Sequence, residues 1–148
     1  MKNNKGITLI IVIIIVILLL IISGLSINYG IDSYNKSKVV RFEAYMKLLQ
    51  KKVDIALEEG IDYTELGSPL TQEQETKLQK IISSNSSIET QSLTDAKLRY
   101  FSSSQIKETF DLGNVYDDIV VNFENRDVIS LNGVKKDGVM HYVEYTLY

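Results

Sequence analysis

The sequence predicts an α+β protein. A long N-terminal helix, one half transmembrane and the other amphipathic, packs on a small C-terminal three-stranded antiparallel sheet, with short helices in the middle region. Three observations predict this. The run Ile7–Ile22 is Ile, Val and Leu throughout except for Thr8. Beyond it, Val39, Phe42, Met46, Leu49, Val53 and Ala56 recur at steps of three and four, the apolar stripe of a helix packed on one face. The last 31 residues then change to β-branched and aromatic segments separated by turn residues.

The apolar run is too uniform for an amphipathic surface helix. Extended through Ile27 it spans roughly 31 Å at about 1.5 Å per residue, close to the hydrocarbon thickness of a bilayer. Lys2 and Lys5 precede it and no acid does, which places the N-terminus in the cytoplasm and the rest of the chain outside. No proline interrupts residues 7–59, so one helix of about 50 residues is expected, with Gly60 as its C-cap. Gly24, Ser26, Asn28 and Gly30 are its weakest helix formers.

Three readings of the apolar run compete: an uncleaved single-pass anchor, a secretory signal peptide cut near Ser23–Ser26, and a third that rests on Lys5-Gly6-Ile7-Thr8-Leu9. In that order a small residue follows a lysine and stands before the apolar run, where a signal peptide has its small residues after it. The order resembles the processing motif of the type IV pilin and pseudopilin family. The resemblance implies that a prepilin peptidase cuts between Gly6 and Ile7, that Ile7 becomes N-methylated, and that the apolar half-helix serves first as membrane anchor and then as filament core. It divides the chain into a leader (1–6), a transmembrane or filament-core half-helix (7–27), an amphipathic half-helix (28–59) and a globular head (60–148). It also implies a joint around residues 23–30 that can lose helicity in the filament; the alternative reading of that stretch is a membrane exit where small polar residues are tolerated. The chain departs from the family at Ile11, where a glutamate is usual. In the family that glutamate is held to neutralise the N-terminal amine of an adjacent subunit.

Within the head, residues 61–69 read as a loop. Thr71 and Gln74 have capping-box spacing before a helix at 72–83. Residues 83–92 read as a loop, 94–101 as a turn or short helix, and 104–110 as another helix. Gly113-Asn114 marks a turn. The closing segments 118–123, 127–131 and 139–148 are expected to form a meander that packs on the long helix through Val39, Phe42, Met46, Leu49 and Val53. Asn132-Gly133 and Asp137-Gly138 lie in the last connection. The stretch Val121–Val134 is similar to the C-terminal hairpin of Gram-positive pilins, and in such proteins residues 60–117 would be the variable part.

Cysteine is absent, which excludes disulfides, thiol catalysis and lipoprotein acylation. His141 is the sole histidine, so no nucleophile–histidine or zinc constellation can be assembled. No catalytic, cofactor-binding or metal-binding residue is assigned, and no cofactor is expected. Asp117-Asp118 is read as a charged entry to a strand in preference to a calcium site. The nine tyrosines, with Tyr116, Tyr142, Tyr145 and Tyr148 near the end, are read as packing or subunit-contact residues. Formal net charge is −3; residues 60–148 carry 8 basic and 14 acidic side chains, and residues 28–59 carry 6 and 5. An acidic head disfavours nucleic acid, whose binding requires clustered Lys and Arg.

The expected function is that of a structural subunit, a minor pilin, in a type IV pilus serving adhesion, motility or surface filament assembly. Its expected partners are the prepilin peptidase, other pilin subunits, the pilus assembly platform and the membrane. It would pass from the cell membrane to an extracellular pilus. The alternatives are a pseudopilin of a type II secretion-like or DNA-uptake machine, and an uncleaved membrane-anchored extracellular binding protein.

Overall fold

A computed structural model describes residues 5–85, 88, 97–113 and 117–147; within these, the side chains of 5–11, 22–30, 145 and 146 are outside the description. The chain divides into two units, Met1–Ser37 and Lys38–Tyr148. The described part of the first is helical. The second holds the sheet and both cores.

Helix α1 runs Lys5–Glu58 and continues through 23–30 without interruption. It ends where the sequence places Gly60. There Gly60 takes φ +73°, its N–H donates to Leu57 O at 3.1 Å, and Ile61 N–H donates to Ala56 O at 3.1 Å. This paired closure satisfies carbonyls that the last turn would otherwise leave open. A 3-10 turn, Tyr63–Glu65, follows. Helix α2 spans Gln72–Ser84 and opens on the expected capping box: Gln74 N–H donates to Thr71 Oγ1, and Thr71 N–H donates to Gln74 Oε1. Helix α3, Ser103–Phe110, has a second capping box between Ser102 and Gln105.

The sheet is antiparallel and three-stranded, in the order β1 (Leu98–Phe101), β2 (Ile119–Asn122), β3 (Asp127–Ser130). Tyr100 stands opposite Val120, and Val120 opposite Ile129. This corrects the expected meander. The third strand comes from 98–101, a segment read as a turn or short helix, and not from 139–148. The C-terminal segment instead forms a separate hairpin of β4 (Val134–Lys136) and β5 (Val139–His141), followed by a 3-10 turn at Glu144–Leu147. Asp137 and Gly138, at φ +51° and +86°, make its tight turn. The tail leaves strand geometry because Val143 and Leu147 enter different cores. Four residues apart in a flat strand, they would share one face.

Each face of the sheet is covered. Phe101, Ile119, Val121 and Val128 join Phe42, Met46, Leu49 and Val53 of α1. Val120 and Ile129 join Leu78, Ile81 and Ile82 of α2, with Leu98 and Tyr100 packed against them. The sequence reading supplied only the first of these layers. The run Ile119-Val120-Val121, buried at every position, is the pattern of a central strand enclosed on both sides.

Candidate functional site

The residues that the resemblance assigns to processing and assembly lie in α1. Gly6, Ile7 and Ile11 are on its helical backbone, but their side chains are outside the described residues. Val12–Ile21 are described, and every one of these ten residues is exposed, between 48% and 68%. They cover all azimuths of a helix, so none of its faces is buried on its own unit. Among the described residues no helix is long and apolar enough to cross a membrane. The expected 7–27 span reaches into residues whose side chains are outside that set.

The amphipathic stripe behaves as its spacing predicts. Phe42, Met46, Leu49, Val53 and Ala56 are buried, and Val39 is half-buried against them. Tyr45 is buried on the same side and was not part of the predicted stripe. Aromatic rings close this core: Phe101 lies 5.3 Å from Phe110 and 6.4 Å from Phe123 between centroids.

The most connected polar group is the pair Asp117-Asp118, at the entry to β2. The Asp117 carboxylate is buried and accepts hydrogen bonds from Ser130 Oγ, from the Asn132 side-chain amide, from Asn132 N–H at 3.0 Å and from Asp118 N–H at 2.8 Å. Asp118 accepts from Tyr100 Oη at 2.8 Å and from Ser103 N–H at 3.0 Å. Together the two carboxylates tie β1, the start of α3, the end of β3 and the Asn132-Gly133 turn to one point. This is more than the charged strand entry expected from the sequence. The hydrogen-bond donors account for the lone pairs of Asp117, and among the described residues no three His, Cys, Asp or Glu side chains converge on a metal position.

The pair acts on its tyrosine neighbours. Burial pushes the Tyr45 phenol well above its ordinary value, and the negative charges of Asp117 and Asp118 add to the effect. Tyr100 is pushed up to about 12, first by burial, then by its hydrogen bond to Asp118 and the charges of both carboxylates. At the surface, Thr64 N–H and Oγ1 donate to Asp62, holding that carboxyl below its usual range.

Sequence reasoning missed two clips. Arg99 donates to the carbonyls of Thr64, Leu66 and Gly67 at 2.9, 2.7 and 3.1 Å, fixing the loop after α1 to the edge of the sheet. Gln50 Nε2 donates to Arg126 O at 2.6 Å, fastening the β2–β3 turn to α1 across an open cleft of ≈ 410 Å³. The sequence reads Glu124-Asn125-Arg126 as a turn, and a turn lies there; the left-handed φ of +67° at Arg126 is what the residue type does not announce, because arginine is not a left-handed turn residue by preference.

His141 lies half-buried on β5, and Tyr142 packs at the margin of the α2 core. Tyr116 and Tyr148, and the side chain of Tyr145, are outside the described residues. The described surface is thus one of packing faces and clips, with an apolar helix at one end of the sequence. No family model, curated protein or solved structure matches the chain.

Proposed function

We infer that the protein is a structural subunit of a type IV pilus, and within it a minor pilin. The observation that carries this is the Lys5-Gly6-Ile7 order at the start of α1, directly before an apolar run whose described side chains, Val12–Ile21, are all exposed. A contiguous apolar surface of that kind requires a cover. Lipid supplies it before assembly, and the apolar helices of neighbouring subunits supply it afterwards. An α1 that continues to Glu58 and enters a sheet core agrees with the same reading. Ile11 directs the choice of minor over major subunit. It offers no carboxylate to a neighbour's amine, and a buried amine without a partner is strongly disfavoured. A subunit that needs this contact in one direction only fits the end of a filament.

The test is the mass of the native N-terminus. The mature chain is expected to begin at N-methylated Ile7, and Gly6→Val is expected to block the cut and leave the protein in the membrane. Peptides containing Lys2 and Lys5 in sheared surface filaments would overturn processing and favour an uncleaved anchor. Stoichiometry checks the minor assignment. A filament built mostly of this chain, with no glutamate-bearing partner, contradicts it, whereas Ile11→Glu is expected to raise the chain's share of the shaft.

A further inference from the structure

Asn132, in the turn that leads from β3 to β4, is held from two sides. Its side-chain oxygen accepts from Lys77 Nζ on α2 at 3.0 Å, and its side-chain nitrogen donates to the buried Asp117 carboxylate. These neighbours fix which way the amide points, since a lysine only donates and an ionised carboxylate only accepts. The Asn132 backbone N–H also donates to Asp117, at 3.0 Å. The carboxamide carbon Cγ thus has an amine at its oxygen edge and a carboxylate at its nitrogen edge. An N···O contact of that length leaves Nζ within about 4 Å of Cγ, close to the separation of reacting atoms in a near-attack arrangement. The flexible lysine stem can carry Nζ the remaining way. Among the described residues Lys77 forms no ion pair, so no carboxylate competes for its amine.

We propose that Lys77 and Asn132 close an isopeptide bond within one chain. Lys77 Nζ, as the free base, adds to Asn132 Cγ. The Asp117 carboxylate takes a proton from the attacking nitrogen and passes it to Nδ2, the nitrogen it already touches. The Cγ–Nδ2 bond breaks and ammonia leaves, and Nζ and Cγ remain joined as a secondary amide. Nothing is oxidised or reduced, and no co-reactant is needed. Protonation of Nδ2 is the part the chemistry cannot do without, because an amide anion is a poor leaving group. A second nucleophile adjoins the same carbon: in an Asn-Gly pair the glycine nitrogen can attack Cγ to give a succinimide. Here the Gly133 N–H donates to Ser130 Oγ at 2.8 Å, which directs it to another acceptor. The bond would span 55 positions and tie α2 to the end of β3 around β1, α3 and β2. In a chain without cysteine it would do what a disulfide does elsewhere. All three residues belong to the second unit, so the bond stands or falls separately from cleavage at Gly6.

The test is peptide mapping of the full chain, extracted in detergent, digested with trypsin and sequenced by mass spectrometry. Trypsin does not cut after a linked lysine. The expected product is a branched species joining residues 53–80 to 127–135, lighter than the two peptides together by about 17 Da, the mass of one ammonia. Its share should grow faster in an incubation at about pH 9 than at about pH 7, because the amine attacks as the free base. Lys77→Arg, which keeps a cationic donor and loses the nucleophile, should abolish it, as should Asn132→Ala. Asp117→Asn should slow it by at least about tenfold in chains that keep a cooperative urea transition, and linkage there at the original rate would remove Asp117 from the reaction. Prolonged incubation that leaves peptide 127–135 at unchanged mass, with no branched species, overturns the proposal. So does peptide 127–135 standing alone and about 17 Da lighter or about 1 Da heavier, the marks of succinimide and of deamidation at Asn132-Gly133. Branching through Lys80 in place of Lys77 overturns it as well. None of these results depends on the N-terminal mass, which tests processing.

Discussion

Leu49→Ala probes whether α1 holds the head together. Leu49 is fully buried, one turn from Met46 and one turn from Val53, which are 1% and 0% exposed. Truncation removes three carbons, worth about 2.4 kcal/mol at roughly 0.8 kcal/mol each. A cavity term adds to this, because the site is poorly able to collapse. Its surroundings are the sheet and the Phe101–Phe110–Phe123 ring cluster, already in mutual contact. The total falls at about 3–4 kcal/mol, inside the range of roughly 2–5 kcal/mol for buried leucine truncations. For a head of this size that loss lowers Tm by about 12–32 °C, at roughly 4–8 °C per kcal/mol for domains near 100 residues. The assay is urea and thermal unfolding of a chain beginning at residue 28, which keeps every core residue of the second unit. Leu48→Ala is the control, since Leu48 is the next residue on the helix and 46% exposed. Its expected change is within about 0.5 kcal/mol. Equal midpoints for the two variants would refute the packing of α1 on the sheet.

Three further outcomes are expected. Asp117→Ala strands the buried Ser130 Oγ and takes the acceptor from two Asn132 donors, and should cost about 2–3 kcal/mol by urea denaturation, while an exposed carboxylate change such as Glu73→Ala should be near neutral. Gly133→Ala should destabilise strongly and disorder the β4–β5 hairpin by NMR, because a Cβ there would meet His141 O at 2.6 Å in a backbone at φ +67°. At alkaline pH the head should weaken as the phenols of Tyr45 and Tyr100 ionise. Both are raised above the ordinary 10.0, so the stability they contribute is complete below about pH 10 and is lost as pH rises through the raised folded-state values, about 12 for Tyr100 and higher for Tyr45. A Tyr100→Phe variant should show a smaller loss over that interval in a pH series of denaturation midpoints.

What the sequence made legible was local chemistry. Gly60, the Thr71–Gln74 capping box and Asp137-Gly138 each act through atoms a few residues away, and each appears where its residue type predicts. The stripe from Phe42 to Ala56 was legible because a helix repeats its inward face five times in that length. Strand β1 was not. Its four residues carry no alternation, and their strand character comes from Val120 and Val121, twenty residues further on. The second core was missed for the same kind of reason: Leu78, Ile81 and Ile82 announce an apolar face on α2 but not what it faces. The C-terminal tail misled because strand propensity is high through Tyr145, Thr146 and Tyr148, while the path is decided by two distant cores. In the Asp117–Asp118 centre the acids were visible, and the partners that make it a junction were not, since they come from 13 to 18 positions away.

The central place of α1 sets an order of events during synthesis. Phe42, Met46, Leu49 and Val53 are made early, yet the residues that cover them include Ile119, Val121, Val128 and Leu147. The Gln50–Arg126 clip alone closes a separation of 76 residues. At about 5–20 residues per second, the ribosome takes roughly 4–15 s to supply that partner after Gln50. For that interval an apolar helix face has no sheet to meet, which is the condition that invites capture by holding factors or by other nascent chains. A transcript cut short before codon 119 would yield a product that never leaves that state, whatever the quality of its first hundred residues.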